Sequence, residues 1–213
     1  MRRKLVALLV VLGALLVMAA QCPFDPDIPD PSPDPTPDPD PNPGQVLFFD
    51  DFEDGMDPVW QTTAGWQIEG GVLIHDSGDA YGYLDVGTDW SDYVVEVELE
   101  PRGEYAALLF RCQEDLRSYV MFYGDTGALR FKTYVDADNT ADTGWRSPGF
   151  LEGPQLVRVV VSGDTYTVYI NGLQRLTFTD STFDSGMPGL HSWGWGNGED
   201  RARYDNFRVT AGD

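Results

Sequence analysis

The chain has 213 residues, with 35 acids against 14 bases and a formal net charge of −21. A surface this acidic repels nucleic acid and anionic lipid, so neither is an expected partner. Two cysteines and two histidines supply no disulfide framework and no zinc cluster.

Met-Arg-Arg-Lys opens the chain and precedes an unbroken apolar run of 16 residues, Leu5 to Ala20. That length is short for a spanning helix and suits the hydrophobic region of an export signal. The run ends in "AAQC", and a cysteine directly after such a run resembles a bacterial lipoprotein signal. The resemblance implies that Cys22 becomes a lipidated N-terminus, although Gln21 replaces the small residue usual before it. Residues 1–21 are therefore expected to be an export signal. The protein is expected at the cell envelope or outer surface, touching membrane only through its lipid.

Residues 22–44 form a linker. Pro23 to Pro43 holds 10 of the 15 prolines and six aspartates. Proline at nearly every second position forbids a helix and favours an extended polyproline conformation. At ~3.1 Å per residue this spacer reaches on the order of 60 Å, and aspartate repulsion stiffens it.

Residues 45–213 are expected to form one all-β domain. It carries 29 acids and 11 bases and has no long amphipathic helical stretch. "DYVVEVELE" alternates, with Tyr93, Val95, Val97 and Leu99 on one side and Glu96, Glu98 and Glu100 on the other, which predicts a half-buried strand. "YAALLFRC", "SYVMFYG" and "ALRFKTYV" follow, separated by polar turns. Cys112, within the first of these, reads as a small buried side chain. "LVRVVVSG", "TYTVYI" and "LQRLTFTD" are joined by Gly163-Asp164 and Asn171-Gly172, the second being a strong hairpin signal, and predict a three-stranded meander. About twelve strands at this spacing suit a sandwich.

"FFDDFEDGMDPVWQTTAGWQIEGGVL", "VRVVVSGDTYTVYING" and "FDSGMPGLHSWGWGNGEDRARYDNFRV" together resemble concanavalin A-like (laminin G-like) jelly-roll domains over most of Gln45 to Val209. The resemblance implies an antiparallel jelly-roll β-sandwich of two sheets, one concave, whose first and last strands are neighbours. Carbohydrate-binding modules, lectins, laminarinase-type glycosidases and 3-keto-disaccharide hydrolases share that fold, so the fold does not choose among them.

Three chemistries compete for the candidate residues. Catalysis by a carboxylate pair needs two acids at a fixed separation, about 5–5.5 Å for retention and about 6.5–9.5 Å for inversion. Glu96, Glu98 and Glu100 share a face, but their spacing departs from the acid pattern of the laminarinase-type enzymes. Cross-strand pairing with Arg111, Arg130 and Lys132 is the plainer expectation, and no catalytic residue is assigned. His75 and His191 read as surface or loop residues. Sugar binding combines aromatic platforms with planar polar groups. Arg111, Tyr119, Trp145, Trp193 and Glu98 are the candidates for it, with Trp195 beside them in "HSWGWGNG". Calcium takes six to eight oxygens. If the terminal strands pair as the resemblance implies, Asp51, Glu53 and Asp205 become neighbours and could hold a structural Ca2+. "DADNTAD", Asp136 to Asp142, resembles the start of an EF-hand loop but lacks its glycine, so a solvated loop is expected.

The expectation is an exported, lipid-anchored, lectin-like protein that binds extracellular glycan without covalent chemistry. A glycoside-processing enzyme is the alternative, and an adhesive surface module the second.

Overall fold

A computed structural model describes residues 44–75, 78–102, 104–135, 139–146, 153–194 and 201–212. The signal, Cys22, the linker and Trp195 lie outside the described residues, as do Asp136 to Asp138 of the EF-hand-like stretch.

Fifteen strands are described: β1 Val46–Asp50, β2 Trp60–Thr62, β3 Trp66–Glu69, β4 Val72–His75, β5 Gly78–Leu84, β6 Tyr93–Glu100, β7 Glu104–Cys112, β8 Ser118–Gly124, β9 Leu129–Tyr134, β10 Asn139–Asp142, β11 Gln155–Ser162, β12 Thr165–Ile170, β13 Leu173–Thr179, β14 Met187–Gly194 and β15 Arg203–Ala211. They form two antiparallel sheets. One runs β13-β12-β11-β6-β15-β4-β3, with β1 also on β15; the other runs β10-β9-β8-β7-β14-β5-β2. The chain has the concanavalin A-like jelly-roll fold that its sequence resembles, and β1 pairs with β15, Phe49 opposite Arg208.

Local sequence explains the strands. The alternation in β6 holds, with Tyr93, Val95, Val97 and Leu99 fully buried while Glu98 is exposed. The meander β11-β12-β13 forms as its turns dictate. Asn171 and Gly172 take φ of 50° and 78°, the left-handed pair that a two-residue hairpin needs. Cys112 is buried, and desolvation pushes its thiol up to about 12.

Two tyrosines of the eight-stranded sheet reach across the core to the backbone of the other. The Tyr204 hydroxyl accepts from Ala107 N–H at 3.2 Å and donates to the His191 carbonyl at 2.7 Å. Ala107 and His191 face each other on β7 and β14, so the hydroxyl bridges that pair. The Tyr93 hydroxyl accepts from Arg111 N–H at 2.9 Å.

Arg111 is where sequence and structure part. It was expected on an open face, yet it is 2% exposed. Its guanidinium donates to the carbonyls of Phe183 at 2.6 Å, Gly163 at 2.7 Å and Ser91 at 2.9 Å, fastening three loops at one end of the sandwich. Its backbone is left-handed, with φ of 46°. Tyr119 is likewise interior and fully buried; its hydroxyl donates to Asp180 and accepts from Phe183 N–H.

Replacing Arg111 leaves buried carbonyls without donors, and each hydrogen bond to a charged group is worth about 1.5–3 kcal/mol. Arg111→Met is expected to cost at least about 3 kcal/mol in denaturant unfolding. A loss below about 1 kcal/mol would contradict the fastening role.

Candidate functional site

Strands buried on one side only would leave the outer face of the seven-stranded sheet polar. Instead β8 is buried along its whole length. Tyr119, Met121 and Tyr123 belong to the sandwich core, while Val120 and Phe122 join a second cluster with Ala107, Leu109, Cys112 and Met187. These outward residues are covered by the chain's own Tyr81, Tyr83, Tyr105 and Tyr134, which pack against them.

Register places the outward residues in rows. Tyr81, His191, Ala107, Phe122 and Arg130 follow one another across five strands. Beside that row, Asp79 pairs with Trp193 and Trp193 with Tyr105. A hollow opens on this face. It is lined by Asp79, Tyr81, Phe122, Lys132, Trp145 and Trp193, among others, and has a cavity volume of about 110 Å³. Enclosed small-molecule sites typically hold ~300–1,000 Å³, so this hollow is a shallow seat for one ring rather than an engulfing pocket.

Two of the five expected ligand contacts meet here. Trp145 and Trp193 both stack on Tyr105, with centroids 4.8 and 5.2 Å away and interplanar angles of 27° and 19°. Both stay exposed, at 39% and 41%. Arg130 lies 5.4 Å from the Trp145 ring and is ion-paired with Asp142. The Asp142 carboxyl is held below the usual range, first by the hydrogen bond from Arg130.

The floor is His191, expected at the surface but 2% exposed. Its ring lies flat on Tyr81, 4.4 Å away at 9°, and its Nε2 is 2.5 Å from Asp79 Oδ1. Desolvation pushes the imidazole pKa down despite that acid, while the hydrogen bond from His191 lowers the Asp79 carboxyl. The consistent state is a neutral ring donating Nε2–H to a charged carboxylate. His75, the other histidine, is also buried, with Nε2 3.2 Å from the Ala64 carbonyl.

The remaining candidates lie elsewhere. Glu98 is on the opposite sheet, where Asn206 approaches it at 3.4 Å. Glu96 pairs with Arg158 at 3.4 Å and Glu100 with Arg102 at 2.8 Å. The expected partners Arg111, Arg130 and Lys132 are not theirs, because β6 and β7, though consecutive, belong to different sheets.

A calcium ion does not fit the residues proposed for it. Asp51 Oδ1 accepts from Glu53 N–H at 3.3 Å, and Asp205 Oδ1 from Asn206 N–H at 2.7 Å, both local turn contacts. Among the described residues no three carboxylate, histidine or cysteine side chains gather as a metal would need. The buried acid of that region is Asp50, which accepts from Phe52 N–H, Asp57 N–H and Trp60 Nε1–H at 2.8–3.0 Å. Its carboxylate oxygens are met by these three N–H donors.

Sequence reasoning missed Asp79, Tyr81 and His191. The period-two spacing of Asp79, Tyr81 and Tyr83 would have put those three on one face, but nothing in the sequence paired them with His191.

No family model and no curated protein matches the sequence. Solved structures do match in fold. The carbohydrate-binding module CBM66 from Bacillus subtilis is similar at 20% identity, covering 72% of this chain and 96% of that one with a TM-score of 0.59. The β-glucanase of Bacillus licheniformis matches at 10% identity, over 80% and 99%, with a TM-score of 0.58. The exoplasmic/lumenal domain of VIP36, with Ca2+ and mannose bound, matches at 10% identity over 74% and 84%, with a TM-score of 0.59.

Because the fold depresses the His191 pKa, it disfavours the protonated ring. Stability should fall as pH drops below ~6.5, the value of an unfolded histidine. The depressed Asp79 carboxyl adds its loss only below its unfolded value of ~3.9. Melting temperatures of wild type and His191→Gln between pH 7 and pH 5 check this. The wild type should lose more, and parallel curves would refute the neutral ring.

Proposed function

We propose that this is an exported, lipid-anchored protein that binds extracellular carbohydrate, without chemistry, in the aromatic hollow of its seven-stranded sheet. The observation that carries the reading is the exposed pair Trp145 and Trp193 stacked on Tyr105. Sugars offer flat C–H faces edged by hydroxyls, and they dock on rigid aromatic planes flanked by charged hydrogen-bonding groups. Asp79 supplies an acceptor, and Arg130 and Lys132 supply donors. The similar solved structures include a carbohydrate-binding module and a sugar-bound lumenal domain, which supports this substrate class.

The similar glucanase keeps a glycoside-processing enzyme in view, but Asp79 in the hollow and Asp142 beside Arg130 favour binding. Asp142 is committed to Arg130, and Asp79 to His191. Neither is held above the usual carboxylate range, as a general acid must be. Export and anchoring rest on the basic start, the 16-residue apolar run and Cys22. An adhesive role would use the same face against protein.

Trp193→Ala should weaken binding of a glycan identified on an array by about tenfold or more, in isothermal titration, with only a small fall in melting temperature from the lost stacking on Tyr105. An array blank for the wild type would remove the reading. Calcium, carried by the similar lumenal domain, is tested apart. A chelator should leave the melting temperature unchanged, since Asp50 already has its donors; a fall of several degrees would put a metal back.

A further inference from the structure

Lys132 is the only lysine beyond residue 4. It stands on β9, outward, in the wall of the aromatic hollow. Six described arginines have a carboxylate within 4 Å, but Lys132 has none among the described residues. Its Nζ lies 5.6 Å from the Tyr134 ring. The nearest acid by register, Asp142 opposite it on β10, is taken by Arg130. A half-buried ammonium with no carboxylate within 4 Å among the described residues is conspicuous in so acidic a domain. Desolvation, and then repulsion from Arg130, lowers its pKa against a smaller opposing attraction from Asp142, so the charged form is held at a cost in the free protein. An anion delivered into the hollow would offset that cost.

We infer that the hollow selects a sugar unit bearing one anionic group, a carboxylate or a sulfate ester, that pairs with the Lys132 ammonium while the ring lies against Trp193. This rests on the carbohydrate-binding reading and names its ligand class. Geometry sets the arrangement. Lys132 and Trp193 line the same hollow from β9 and β14, with Phe122 between them on β8. A sugar seated there has its ring over the aromatics and its substituent toward β9. Asp79, on the far side and bonded to the neutral His191, is placed to accept hydroxyls rather than to meet the anion. The site is local and short. The domain's net negative charge disfavours long polyanions, but that repulsion is screened beyond about 8 Å at physiological salt. A single charged unit therefore fits better than a dense polymer.

The test uses the full chain and four probes in isothermal titration: methyl glucoside, methyl glucuronide, glucose 6-sulfate, and a neutral oligosaccharide drawn from the array. The charged sugars should bind about tenfold more tightly than methyl glucoside. The advantage should shrink with added NaCl, vanish in Lys132→Met and survive in Lys132→Arg. Preference for glucuronide alone assigns a carboxylate, and equal preference assigns any compact anion; both support the inference. Equal binding of charged and neutral sugars, still lost in Trp193→Ala, overturns this inference and leaves carbohydrate binding standing. No binding of any probe, the oligosaccharide included, overturns both.

Discussion

The hydroxyl of Tyr204 is the point on which the two sheets agree. It leaves β15, crosses the core and bridges Ala107 N–H to the His191 carbonyl, where β7 and β14 face each other. A phenol buried in a sandwich must find partners, and here its partners are the backbone of the opposite sheet. Sliding one sheet over the other would break both bonds in a dry interior, so the register between the sheets is fixed there. His191 is the residue so held. Its ring carries Tyr81 on one side and Asp79 at its edge, so the floor of the hollow is set from beneath by the core.

Much of the fold was legible because strands declare their faces. The alternation of β6, the Asn171-Gly172 hairpin and the pairing of β1 with β15 all followed from residue pattern or resemblance. Period two, however, says which side a residue faces and not which sheet it joins. "DYVVEVELE" and "YAALLFRC" are separated by a few residues, a length that serves a hairpin or a crossing between sheets equally well. The chain crosses, and Glu98 is thereby parted from Arg111, Tyr119 and Lys132, which had seemed its neighbours.

The site divides along the same line. Trp145 and Trp193 were legible, since a large aromatic among glycines and polar residues has little local reason to be buried. Arg111 and Tyr119 were misread because a polar group inside a sandwich looks, in sequence, like one on its surface. Only the carbonyls of Ser91, Gly163 and Phe183, far apart along the chain, reveal why the guanidinium is inside. "FFDDFEDG" was misread for the same reason. Its buried acid is Asp50, which organises a turn through three N–H donors, while Asp51 and Glu53 stay local.

What remains on the outer face is an arrangement built before any ligand arrives. Trp145, Tyr105 and Trp193 already stack, Arg130 is already paired with Asp142, and Asp79 is already oriented by His191. Binding on such a face orders few side chains, so little of the contact energy is lost to rotamer entropy. Rigidity of this kind suits recognition of a small, stiff ring. It also sharpens the meaning of Lys132, since among the described residues its ammonium stands beside fixed aromatics with no carboxylate within 4 Å, and a ligand can still satisfy it.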